Sequence, residues 1–166
     1  MVIIGNKTRN HDPFRALDPG AFLVKAGCPV LVVPESVTSL SAKRIAIAWK
    51  DVREARRAVR DALPLLQQAE GVTVAGISEM SEHGPVLDHL YDVAIYLKQY
   101  CVESVSVLTK PAEGTVAESL LRIVYDENID LIVAGAYGHS RLGEWVFGGV
   151  TRGLLAQRSV CCLFSH

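Results

Sequence analysis

The stretch that decides the fold is Asp130-Leu131-Ile132-Val133-Ala134-Gly135-Ala136-Tyr137-Gly138, followed after nine residues by Gly148-Gly149 and a short helical pattern. Leu131 to Ala134 is an unbroken apolar run of strand length, as expected of a parallel strand covered on both faces. Glycine allows positive φ and lets other groups approach the backbone closely. A helix N-terminus presents unpaired N–H groups and the positive end of a dipole, which suits a phosphate. Gly135, Gly138, Gly148 and Gly149, with Val150 and Thr151 on the first helical turn, therefore form a candidate anion-binding loop. The plain alternative is a tight loop whose glycines serve turn geometry alone.

Working outward, strand-like and helix-like segments alternate from Lys43 to the end. Arg44 to Trp49 is strand-like, and Ala55, Ala58, Val59, Ala62 and Leu66 then recur at helical spacing. Pro64 inside that pattern marks a bend or a last turn. Val72–Ile77 predicts a second strand, Val86 to Leu97 a second amphipathic helix, and Val102–Leu108 a third strand in period two. Thr115-x-x-Glu118 is a capping box opening a third helix. A last helix spans about Gly149 to Gln157, and Val160–Phe164 closes as a strand. This βαβαβαβαβ order predicts an α/β fold with a parallel sheet and right-handed crossovers.

Residues 43–166 supply that whole domain, and residues 1–35 stand outside it, joined by a polar linker over 36–42. Val2-Ile3-Ile4-Gly5 matches Ile132-Val133-Ala134-Gly135 at an offset of 130, and Leu23 and Leu31 match Leu155 and Leu163 at an offset of 132. Strand, loop, helix and strand thus occur twice.

The chain has 166 residues, 49% hydrophobic and 21% charged, with a net charge of −1. No global basic field recruits nucleic acid or an anionic membrane. No apolar run approaches the ~20 residues of a membrane helix, and the first ten residues lack a secretory pattern. Cys28, Cys101, Cys161 and Cys162 form no CxxC and no zinc-like spacing, so they read as reduced, largely buried residues in the cytoplasm. A redox pair at Cys161-Cys162 is the sharper alternative. His11, His83, His89 and His166 are scattered without metal spacing. Neither G-x-G-x-x-G after the first strand of the complete domain nor G-x-x-x-x-G-K-[ST] occurs, which disfavours Rossmann dehydrogenases and P-loop NTPases. His139-Ser140 is a weak base–nucleophile candidate, because adjacent residues rarely face each other and no orienting acid is near. Arg53, Arg57 and Arg60 form a solvated helix face or steer phosphate; Trp49 and Trp145 pack beside the loop or stack on a base.

Ala48-Trp49-Lys50-Asp51 with its Arg-rich helix, the Asp130–Gly135 strand and Gly135-x2-Gly138-x9-Gly148 together resemble the universal stress proteins. The resemblance covers residues 43–166 as a full domain and residues 2–34 as the final third of another, as in tandem members. It implies an open, Rossmann-like sheet of five parallel strands in the order 3-2-1-4-5. The ligand then lies beyond the strands' carboxyl ends, between the first and fourth strands. It implies adenine nucleotide, ATP above all with Mg²⁺ if a triphosphate is bound, and no covalent cofactor. Adenine would meet the backbone near Ile77, and the phosphates the loop from Gly135 to Thr151. Two positions depart from the family pattern. Lys50 stands where the ribose-binding aspartate is usual, and Gly149 where the pattern has Ser or Thr. Lys50 offers phosphate a point charge instead, and Thr151 a hydroxyl two residues later.

The expected function is a cytoplasmic stress-response module, at most a slow ATPase, binding adenine nucleotide through Lys50, Ile77, Gly135, Gly138, Gly148, Gly149, Val150 and Thr151. The alternative is a dimerising adaptor of the same family that binds no nucleotide. The resemblance to tandem members implies that Cys28–Val33 lies antiparallel to Val160–Phe164 within the chain, and the strand Val2–Ile4, still open on one side, predicts a homodimer or larger assembly.

Overall fold

Alternating apolar residues give each central strand two buried faces, and the sheet divides the core accordingly. The computed structural model describes residues 1–6, 18–78, 83–138 and 148–166. Its elements are β1 (Val2–Asn6), α1 (Pro19–Lys25), β2 (Val30–Pro34), β3 (Arg44–Ala48), α2 (Arg53–Leu66), β4 (Gly71–Ser78), α3 (His83–Gln99), β5 (Val105–Pro111), α4 (Val116–Asp126), β6 (Leu131–Gly135), α5 (Gly149–Ala156) and β7 (Cys161–Ser165). One face of the sheet, with Ile45, Ile47, Leu131, Val133 and Leu163, packs against α2 and α3. Ala46, Ile132, Ala134, Cys162 and Phe164 turn the other way and pack with Leu23 of α1, Val124 of α4 and Leu154 of α5.

The strand order is β1-β2-β7-β6-β3-β4-β5. Within it, the five strands of residues 43–166 stand in the expected order 3-2-1-4-5 and are mutually parallel. The sheet as a whole is seven-stranded and mixed, which corrects the expected five-stranded parallel sheet. β2 adds antiparallel to β7, and β1 adds parallel to β2. An apolar strand pair has too little surface to form a core alone, so it extends the neighbouring sheet and covers the β7 edge.

The register carries a twofold relation. Leu31 pairs with Leu163, Val30 with Phe164 and Val32 with Cys162, so residues 132 apart exchange places about Leu31–Leu163. Ile3 pairs with Leu31 as Val133 pairs with Leu163. Asn6, buried at the end of β1, donates from Nδ2 to the carbonyl of Leu155 at 2.6 Å, satisfying an open carbonyl at the end of α5.

Three local features refine the expectations. Pro64 lies in the last turn of α2, two residues before the helix ends at Leu66, in line with a proline marking a last turn. Thr115 and Glu118 form the reciprocal capping box at α4, with Glu118 N–H donating to Thr115 Oγ1 at 3.2 Å and Thr115 N–H to Glu118 Oε2 at 2.8 Å. The third strand starts at Val105 rather than Val102. Cys101 adopts φ +61°, its N–H bonds to Lys98 O, and Val102 N–H reaches back to Leu97 O. That is a Schellman ending, in which Val102 is the apolar residue folded back on the helix. The 36–42 segment is not merely polar spacing, since Val37 and Leu40 pack on the core under α2 and α3.

Candidate functional site

At the carboxyl ends of β3 and β6 the chain departs to opposite sides of the sheet, which opens a crevice at the switch point. From β3 the chain runs through Trp49, Lys50 and Asp51 into α2; Trp49 N–H bonds to Ala75 O at 2.8 Å and Val52 N–H to Lys50 O at 2.7 Å. From β6 it runs through Ala136, Tyr137 and Gly138, and the loop returns at Gly148 to start α5. His139-Ser140 and Trp145 lie outside the described residues, as do His11 and the side chain of His83.

The four glycines of the loop separate into two kinds. A Cβ on Gly135 would stand 2.6 Å from Ala55 N and 2.7 Å from the Glu54 carbonyl carbon, so only glycine lets the first turn of α2 seat on the end of β6. A Cβ on Gly138 would meet Val52 Cγ2 at 2.9 Å and Glu54 Oε2 at 3.0 Å. These two glycines serve packing. At Gly148 and Gly149 a Cβ would meet nothing within 4 Å among the described residues. Gly148 is the N-cap of α5 with φ −54° and ψ 127°, and among the described residues no side chain caps that helix. Among the described residues neither packing nor a left-handed φ demands glycine there, and the first N–H groups of α5 have no side-chain acceptor.

Several expected residues converge. Ile77 at the end of β4, Val150 on α5 and Ala48 at the end of β3 pack in one cluster over Ala75, Leu120 and Ile123. Thr151 is 4% exposed, and its Oγ1 accepts from Tyr137 N–H at 3.3 Å. Its hydroxyl thus clamps the outgoing end of the loop to α5. Tyr137 itself holds φ +56°, and burial raises its phenol above the ordinary tyrosine range. Lys50 is exposed at the rim. Asp51 forms an ion pair with Arg56. Arg57 donates to the carbonyl of His166 at 2.8 Å, while His166 Nδ1 lies 2.9 Å from Ala136 O. The chain's last residue thus bridges α2 and the start of the loop.

Glu54 was not legible as a site residue. It is 6% exposed, and its Oε1 accepts from Arg53 Nη2 at 2.8 Å and Nε at 3.0 Å. Its place in the first turn of α2 puts it near the positive end of the helix dipole, a second compensation for the buried charge. The signal was its spacing of four from Ala58 and eight from Ala62, which sets it on the buried stripe.

Of the four cysteines, Cys161 and Cys162 are buried as expected, whereas Cys28 is half-buried and Cys101 is exposed. Cys161 faces the α2/α3 side and Cys162 the α4/α5 side, because successive strand residues point oppositely. Burial pushes the Cys162 thiol up to about 12 and raises that of Cys161, so both thiols stay protonated. Among the described residues no cluster of His, Cys, Asp or Glu could hold a metal ion, and no helix is long and apolar enough to cross a membrane.

A doubly wound α/β domain with a glycine loop at its switch point, extended by two further strands, is the class these observations define. The family model of the universal stress protein family matches residues 41–163, and the chain belongs to that family. No curated protein matches it in sequence. Among solved structures, a universal stress protein from Archaeoglobus fulgidus is similar at 18% identity and a TM-score of 0.64, over 84% of this chain and 50% of that one. The chain thus spans half that protein's length. Universal stress protein UspA from Lactobacillus plantarum is similar at 13% identity and a TM-score of 0.53, over 74% of this chain and 96% of that one. A universal stress protein solved in complex with cAMP is similar at 17% identity and a TM-score of 0.56, over 75% of this chain and 96% of that one. At these identities the likeness is one of fold.

Proposed function

We propose that the chain is a cytoplasmic stress-response module that binds an adenine nucleotide in the crevice between β3 and β6 and acts by binding rather than turnover. The observation that carries this reading is the pair Gly148-Gly149. Among the described residues their Cβ directions are open, and they head a helix whose first N–H groups have no side-chain cap. An anion bound there gains backbone donors and the α5 dipole without any side-chain hydroxyl. Lys50, on the opposite lip, adds a point charge for phosphate. Ile77, Val150 and Ala48 supply an apolar wall for the base. The fold is shared with a universal stress protein that was solved with cAMP, which supports an adenine nucleotide as the ligand class. Any Mg²⁺ would arrive with a triphosphate. Equilibrium dialysis of ATP and of cAMP against the purified chain tests this reading: saturable retention of either supports it, and retention of neither overturns it.

A second reading rests on Lys50 and Gly149, which replace the ribose-binding acid and the phosphate-facing hydroxyl of the family pattern, while the Thr151 hydroxyl already holds Tyr137. On that reading the chain is an adaptor working through protein contacts. We further propose that residues 1–35 are the closing strand, helix and strand of a preceding repeat. The equal registers of β1–β2 and β6–β7 and the exchanged pairs about Leu31–Leu163 support this.

A further inference from the structure

The sheet geometry leaves a gap on the face opposite α5. α2 lies mainly over β6 and β7, and α3 over β4 and β5, with β3 between them. Their axes are therefore about three strand spacings apart, ~14 Å, whereas helices in contact sit ~8–10 Å apart. The result is a groove of about 900 Å³, inside the range of ~300–1,000 Å³ typical of small-molecule sites. Its floor includes Val59 and Val93, 2% and 6% exposed, and Trp49 and Tyr96 bring two aromatic rings to its lining. The Trp49 indole N–H is buried with no acceptor among the described residues, a costly state that a ligand acceptor would relieve.

The charges of the groove are unequally matched. Arg56 is held by Asp51, and Arg57 by Asp61 and the carbonyls of His166 and Gly27. Arg60 lines the same groove with no hydrogen bond or ion pair among the described residues. Asp92 also lines it from α3, one turn after His89. A guanidinium is weakly hydrated and presents a planar fork, so it favours a carboxylate or sulfonate. A surface aspartate gives up more hydration when it pairs.

We infer that this groove is a second binding site, distinct from the nucleotide crevice, for a small planar aromatic molecule bearing one anionic group, with Arg60 as its charge partner and Trp49 and Tyr96 flanking its ring. The inference does not depend on nucleotide binding. The experiment titrates three probes with one ring system, 2-naphthoate, 2-naphthylmethanol and 2-naphthylmethylammonium, into the full ¹⁵N-labelled chain. The indole N–H resonance of Trp49 is followed, identified against a Trp145→Phe variant because the chain has two tryptophans. The expected result is saturable displacement of that resonance by 2-naphthoate, with binding about tenfold tighter than for the neutral or cationic probe. Arg60→Gln, at an exposed helical position that tolerates Gln, brings 2-naphthoate down to the neutral probe's level. Saturating ATP leaves the titration unchanged. The inference is overturned if 2-naphthoate does not saturate, if the cationic probe binds more tightly, if Arg60→Gln leaves affinity unaltered, or if ATP displaces the probe.

Discussion

At the scale of single residues, the loop glycines divide between packing and openness, and substitutions separate the two roles. Gly135→Ala drives a Cβ against the backbone of Glu54 and Ala55, and it should cost about 1–3 kcal/mol of stability by overpacking. A lowered urea midpoint checks this; an unchanged one would show that α2 yields easily. Lys50 gives a second test. With the lysine acting as a phosphate contact, Lys50→Asp weakens ATP binding by about 1 kcal/mol or more, the scale of a charge-assisted hydrogen bond. Strengthened binding in that variant supports the adaptor reading instead. The sequence made the loop visible because glycine spacing before a helix is local. It did not show which glycines pack against α2, since that contact joins residues about 80 positions apart in the chain. Glu54 stayed hidden for a related reason: beside Arg53 and Arg56 it looks like part of a solvated face, and only the seating of α2 on Gly135 buries it.

At the scale of elements, helix ends and helix contacts carry the tests. Thr115→Ala removes one half of the α4 capping box, and a loss of about 1 kcal/mol is expected on urea denaturation. Hydrogen bonds from the Thr115 backbone and then its side chain hold the Glu118 carboxyl below the usual carboxylate range. Its contribution to stability is therefore complete above the unfolded-state pKa and fades as pH falls through the depressed folded-state value. The stability difference between the wild type and Glu118→Gln should accordingly shrink on acidification below that range; a difference that is flat with pH would remove the carboxylate's role. Where α4 meets α5, a Cβ on Gly153 would stand 2.4 Å from Ala117 Cβ. Gly153→Leu must push the helices apart, and because α5 opens at Gly148 the change should disturb the loop as well as stability. The helices and most strands were legible from periodicity. The late start of β5 was not, because a non-glycine residue in the left-handed region at Cys101 ends α3 and takes Val102 with it.

At the scale of the whole molecule, the antiparallel joining of β2 to β7 followed from the resemblance to tandem members, but the seven-stranded sheet it makes was not read as one unit. Periodicity marks a strand without saying which sheet receives it. Among the described residues the outer edge of the sheet is β1, where Val2 and Ile3 are 37% and 63% exposed. An apolar edge strand of this kind invites pairing, and a second copy of the chain is the expected partner. Light scattering at micromolar concentration should give about twice the 18.0 kDa chain mass; a strict monomer would contradict that assembly. Neither this edge nor the groove between α2 and α3 bears on the central claim, which concerns the crevice at the switch point. The most direct test is a calorimetric titration of ATP into the full chain and into Gly148→Val, with thermal unfolding of both recorded. The account predicts saturable binding to the wild type, no measurable binding to the variant, and matching cooperative unfolding, because a side chain at 148 meets no atom within 4 Å among the described residues. Equal ATP affinity in the two proteins would contradict it.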